Sequence, residues 1–153
     1  MDEICLTPLK LEHSDNLLRW RSMPEVYRFM RTARAPELDE HQEWIRWAIS
    51  SDTYSGWVIC HMYDGDVGYC NLQELCDKTF ELGIYIAPAH HGKGYGSAAL
   101  ELVKGQAMRL GAKKVIAEAK WDNWPALKLY RKAGFLSTWV TMELDVQKER
   151  PPA

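Results

Sequence analysis

The run His91-Gly92-Lys93-Gly94-Tyr95-Gly96-Ser97 carries the most specific chemistry in this chain. Alternating glycines let consecutive backbone N–H groups turn toward one point, because glycine reaches backbone conformations closed to other residues. The amphipathic stretch that follows starts a helix, whose N-terminal partial charge is positive. Inward amides beside a helix terminus make a seat for phosphate oxygens, so the first expectation is an anion site spanning Gly92, Lys93, Gly94, Tyr95, Gly96 and Ser97.

Which anion depends on context. Gly94, Gly96 and Ala99 also satisfy the GxGxxA form of a dinucleotide-binding turn, and Glu118 stands near the spacing of a ribose-binding acid. That turn belongs after the first strand of a large parallel sheet. Here three hairpin-linked strands precede it, and too little chain follows to build such a sheet. No GxxxxGK[ST] occurs, which excludes a P-loop. A glycine turn without any ligand is the plain alternative.

The elements that must position this loop follow from periodicity. Residues 4 to 9 read as a strand, and Ser14 or Asp15 caps a helix through LLRW that stops before Pro24. A short helical stretch covers 24 to 30. After the ARAPEL loop, a helix ends near Ser50, with Ile45, Ala48 and Ile49 at helical spacing behind an acidic first turn. GWVICHMY, VGYCNLQEL and KTFELGIYIAP are then three sequential antiparallel strands, separated by DGD and by a turn at 76 to 78. The helix from Gly94 carries Leu100, Val103, Ala107 and Leu110 on one stripe and closes at Gly111. KKVIAEAK reads as a strand, WPALKLYRKAG as a helix with proline in its first turn, and FLSTWV and MELDVQ as two closing strands.

Composition bounds the class of protein. The chain has 153 residues, 46% hydrophobic and 26% charged, which fits one soluble globular domain over 1 to 153. A net charge of −2 and the lack of a dense Lys/Arg run argue against a nucleic-acid partner. No stretch approaches the roughly 18 apolar residues of a membrane helix, and the start MDEICLTPL lacks a signal-peptide pattern, so the expected location is the cytoplasm with no membrane partner. Cys5, Cys60, Cys70 and Cys76 form no CxxC pair and no zinc spacing with histidine, which predicts buried reduced thiols and no metal. His90 and His91 stand without a carboxylate or cysteine at ligand spacing and read as loop residues.

Taken together, the glycine turn and its surroundings resemble the GNAT superfamily of acyl-CoA N-acyltransferases over nearly the whole chain. The family's pyrophosphate motif [Q/R]-x-x-G-x-[G/A] is matched by residues 91 to 96 except at its first position, where His91 stands. GIYIAP resembles the strand whose splayed backbone pairs with pantetheine, which implicates Ile84 and Ile86. Asn123-x-x-Ala126-x-x-Leu129-Tyr130-x-Lys132-x-Gly134-Phe135 resembles the second hallmark. The resemblance implies an α/β (α+β) fold: a mixed, mostly antiparallel sheet of about seven strands flanked by helices, splayed between the fourth and fifth. It also implies acetyl-CoA as co-substrate without a metal, with Asn123 and Lys132 contacting the coenzyme and Tyr130 as acid toward its sulfur.

Acetyl transfer to an amine needs a base, a polarised carbonyl and a proton for the departing thiolate. Glu118 matches the catalytic glutamate of members that acetylate protein N-termini; Glu81 lies on the pantetheine-pairing strand, where other members place theirs. Both also fit solvated strand glutamates. The backbone N–H of Ile84 or a neighbour is the expected polarising group. No cysteine sits in a nucleophile motif, so direct attack in a ternary complex is expected.

On the acceptor side the helices most resemble the amino-sugar N-acetyltransferases of the pseudaminic acid pathway, through Trp20-Arg21, Pro24, Phe29-Met30, Thr32 and Glu40-His41. That implies a UDP-linked 4-amino sugar, with Arg21, Arg31 and His41 on the diphosphate or sugar and Met30 or Trp44 against a ring. Ribosomal-protein N-termini, polyamines and a non-catalytic acyl-CoA-binding module are the alternatives. Met30, Trp44 and Trp47 also read as helix-core residues. The expected partners are a small-molecule amine or amino-sugar nucleotide and a second copy of the chain in a homodimer.

Overall fold

In the computed structural model, which describes residues 3–147, one five-stranded sheet runs in the order β1 (Ile4–Pro8), β2 (Tyr54–His61), β3 (Gly65–Cys76), β4 (Thr79–Ile86), β5 (Lys114–Ala117). The first four strands pair antiparallel and β4 pairs parallel with β5. Alternation divides their side chains between two faces. Trp57, Ile59, Cys70, Leu72, Phe80 and Leu82 face α4 (Tyr95–Arg109) and α5 (Trp124–Lys132). Val58 and Tyr69 face α1 (Ser14–Arg21) and α3 (Leu38–Ser50) with Leu17, Trp20, Ile45 and Ala48. A four-residue helix α2 (Pro24–Tyr27) follows α1.

The helix signals act as expected in most places. Ala99, Leu100, Val103 and Ala107 form the buried stripe of α4, and Gly111, at φ 75°, takes the left-handed conformation just past its end. Asn123 caps α5 by accepting the Ala126 N–H at 3.3 Å, and Gly134 at φ 99° ends it. At the start of α1, neither Ser14 nor Asp15 is the cap. A 3-10 turn, Leu11–His13, leads in, and the His13 Nδ1 accepts the Lys10 N–H at 2.9 Å.

Two expectations fail. The sheet has five strands, because FLSTWV and MELDVQ form no ladder among the described residues. Only Thr141 separates the two runs, whereas reversing a strand takes a loop of about two residues or more. They form neither helix nor strand and end in a turn at 146–147, with Val140, Met142, Leu144 and Val146 exposed. Of the four cysteines only Cys70 is buried; Cys5 and Cys76 are exposed, Cys76 because it sits at the β3–β4 turn.

Candidate active site

The β4–β5 ladder runs from Thr79↔Lys114 to Leu82↔Ala117 and stops there, while β4 continues to Ile86. Away from β3, no strand among the described residues pairs with Gly83–Ile86, so a peptide-like ligand can lie along that backbone. This is the expected splay. Ile84 and Ile86 sit on it, half-buried and packed against the same core as Tyr95, Ala99 and Tyr130. Glu118 is the first residue past the ladder on the β5 side.

The glycine turn closes one end of this opening. Gly92 and Gly94 have φ of 77° and 81°, which only glycine adopts without strain. None of the N–H groups from Gly92 to Ser97 finds a backbone acceptor among the described residues. They lead into α4, whose N-terminal partial charge is positive. Three motifs meet here, since a Cβ on Gly96 would lie 3.5 Å from Leu129 of α5 and 3.7 Å from Ile86 of β4. These features fit the diphosphate and amide-bearing arm of coenzyme A: donors without acceptors at one end, an unpaired strand edge at the other.

His91, the departure from the family pattern, has a position of its own. Its Nε2 donates to the Ile86 carbonyl at 2.7 Å and so ties the turn to the end of β4. Lys93 and Tyr95 are held from another side: the Asp64 carboxylate accepts the Lys93 ammonium at 3.0 Å and the Tyr95 hydroxyl at 2.5 Å. Ser97 is in the first turn of α4, and Lys132 is exposed in the last turn of α5.

Tyr130 is buried beside Phe135, with ring centroids 5.5 Å apart. Desolvation pushes its phenol up to about 12, so it is a protonated donor throughout the neutral range. The two carboxylates differ in setting. Glu81 lies inside the ladder, opposite Gln73 and Ile116. Glu118 is exposed and ion-paired with Arg31. The Lys120 ammonium also donates to the Arg28 carbonyl, at 2.6 Å. The segment after α2 is thus clipped over the mouth, where Arg28, Phe29, Lys120 and Asp122 line an open cavity of about 370 Å³.

The remaining acceptor-side candidates separate. The Arg21 guanidinium lies 4.9 Å from the Trp44 ring centroid, and Trp44 packs edge-on to Tyr69 at 5.9 Å. Met30 is half-buried. His41 does not reach the mouth: it is 1% exposed, and its Nε2 donates to the Ser14 carbonyl at 3.0 Å. The helical period of α3 turns it inward with Ile45 and Ala48. Its expected contact with an acceptor is therefore not made. Asp64 and Tyr85 escaped the sequence reading. Tyr85 alternates with Ile84 and Ile86, which places it on the opposite sheet face against Trp20 at 6.4 Å. Asp64 looked like part of a turn, and nothing local announced its partners.

Sequence and fold comparisons agree with this geometry. Residues 3–136 match the acetyltransferase (GNAT) domain. The chain belongs to the GNAT acetyltransferases and is an acetyl-transferring enzyme. It is similar to the acetyltransferase PseH of Campylobacter jejuni, with 25% identity over 130 residues, covering 84% of this chain and 80% of that protein. It is 30% identical over 127 residues to an uncharacterized protein of Methanocaldococcus jannaschii, covering 80% of this chain but 26% of that longer protein. The spermidine N-acetyltransferase of Vibrio cholerae, solved with CoA and spermine, shares the fold at a TM-score of 0.84 with 19% identity, covering 91% of this chain and 84% of that one. No helix among the described residues is long and apolar enough to cross a membrane, and no cluster of three or more His, Cys, Asp or Glu there could hold a metal.

Proposed function

We propose that the chain transfers the acetyl group of acetyl-CoA to a primary amine by direct attack, and that the acceptor is a nucleotide-linked amino sugar. The observation that carries the coenzyme half is the row of N–H groups without acceptors from Gly92 to Ser97, opening beside the unpaired edge of Gly83–Ile86. An acetyl thioester laid along that edge supplies the reactive carbonyl, and an N–H near Ile84 polarises it.

Glu118 is the proposed base. It stands where the strands part, whereas Glu81 sits within the paired region. An amine with pKa near about 10 arrives as an ammonium; its charge displaces the Arg31 guanidinium from Glu118, and the carboxylate, directly or through one water, takes one proton from it, which frees the nitrogen lone pair to attack, while the second nitrogen proton leaves after the C–N bond has formed. Tyr130 gives its proton to the departing thiolate. A thiolate, whose free thiol titrates near about 8.5, is a weaker base than this phenolate, so the downhill exchange of a thioester for an amide draws the transfer forward, and the phenolate then recovers the second proton that the nitrogen sheds.

The acceptor reading rests on charge. Arg28 and Lys120 line the mouth with Phe29, Arg31 and Arg34 lie on the same segment, and Arg21 stacks on Trp44. Cations beside aromatic rings suit a diphosphate and a base or sugar ring better than a polycation. Thiol release measured across amino-sugar nucleotides, polyamines and N-terminal peptides tests this. Tyr130→Phe and Glu118→Gln should each lower kcat by about a hundredfold or more with coenzyme affinity kept. Faster turnover of spermidine than of every sugar nucleotide would overturn the acceptor assignment.

A further inference from the structure

Three side chains from separate parts of the chain converge outside the reacting centre. Asp64 lies in the turn between β2 and β3. Its carboxylate accepts the Tyr95 hydroxyl at 2.5 Å and the Lys93 ammonium at 3.0 Å, across 31 and 29 residues of sequence. Tyr95 is the first residue of α4 and only 5% exposed, its ring 4.7 Å from that of His61. The position of Asp64 is fixed in turn, because His61 Nδ1 accepts the N–H groups of Tyr63 at 3.3 Å and Asp64 at 3.1 Å. His61 is itself buried at the end of β2.

We propose that Asp64 is a positioning residue for coenzyme binding: by holding Lys93 and Tyr95 it fixes the glycine turn in the conformation whose amides receive the diphosphate. This rests on reading residues 92 to 97 as the coenzyme seat. The turn contains two glycines in the left-handed region, and glycine loses the most freedom when ordered. A turn of this kind has a fixed shape only if something outside it supplies the constraint. Asp64 does so on either side of Gly94 at once, through Lys93 and Tyr95, while His91 fastens the start of the turn to Ile86. The carboxylate is held below its ordinary range, first by the Tyr95 hydroxyl and then by Lys93, so it is charged at neutral pH.

The test uses Asp64→Ala, Tyr95→Phe and the double variant, with acetyl-CoA binding by calorimetry and initial rates at varied coenzyme. Each single variant should weaken binding about tenfold, the size of one hydrogen bond to a charged group. Asp64→Ala should raise KM for acetyl-CoA in step while kcat at saturation stays within about twofold, and the double variant should be little worse than Asp64→Ala alone, because that change already breaks the Tyr95 link. Tyr95→Phe keeps the buried ring and decides the question should Asp64→Ala not fold. Unchanged coenzyme affinity in a folded variant, or a loss confined to kcat, overturns the proposal. Failure of the unaltered protein to bind acetyl-CoA would instead remove the coenzyme reading beneath it.

Discussion

Ser97→Pro isolates one amide of the anion seat. The Ser97 N–H has no acceptor among the described residues, and the residue stands in the first turn of α4, where proline removes no helical hydrogen bond. The substitution thus deletes a donor at little structural cost. A hydrogen bond to a charged group is worth about 1.5–3 kcal/mol, or roughly ten- to 150-fold in a dissociation constant. Titration calorimetry with acetyl-CoA should show a loss in that range, with the thermal midpoint within a few degrees of the unaltered protein. Ser97→Ala, which removes only the hydroxyl, separates amide from side chain and should bind nearly normally. A folded Ser97→Pro protein with unchanged affinity would refute the claim that these amides face the diphosphate.

Two further outcomes follow from packing and charge. A Cβ on Gly68 would overlap the Tyr85 carbonyl oxygen of the adjacent strand, so Gly68→Ala should destabilise the fold by about 1–3 kcal/mol, read as a lower urea midpoint. Burial, with Arg21 acting in the same direction, holds the His41 imidazole below its ordinary value. The unfolded chain therefore binds more protons just below about pH 6.5, and stability should rise with pH through that window and level off above it. Urea melts at a series of pH values should show that slope, and His41→Gln should flatten it; an unchanged slope would mean that His41 titrates alike in both states.

The parts of the fold legible in the sequence share a local cause. Three antiparallel strands were readable because alternation and turn residues lie next to one another in the chain. Helices α4 and α5 were readable because Gly111, Pro125 and Gly134 mark their ends. The glycine turn was legible because the positive φ angles at Gly92 and Gly94 call for glycine at particular spacing. What depended on distant partners was hidden. Asp64 meets Lys93 and Tyr95 only after the sheet has formed, and His41 is placed by the contact between α1 and α3. The two closing strands were misread because apolar alternation suggests a strand and does not say which strand it joins.

That last segment has a consequence for how the molecule behaves in company. The outer side of β5 is a rim of main-chain groups that no strand of the described residues occupies. A few positions downstream, the same chain carries Val140, Met142, Leu144 and Val146 exposed at alternate positions. That alternation is the sequence pattern of a strand with one apolar face, and the rim is a template for such a strand. Natural sheets guard such rims with lysines, bulges or coverings, and Lys113 and Lys114 guard only the first end of this one. The rest of this rim has main-chain donors and acceptors open to a further strand.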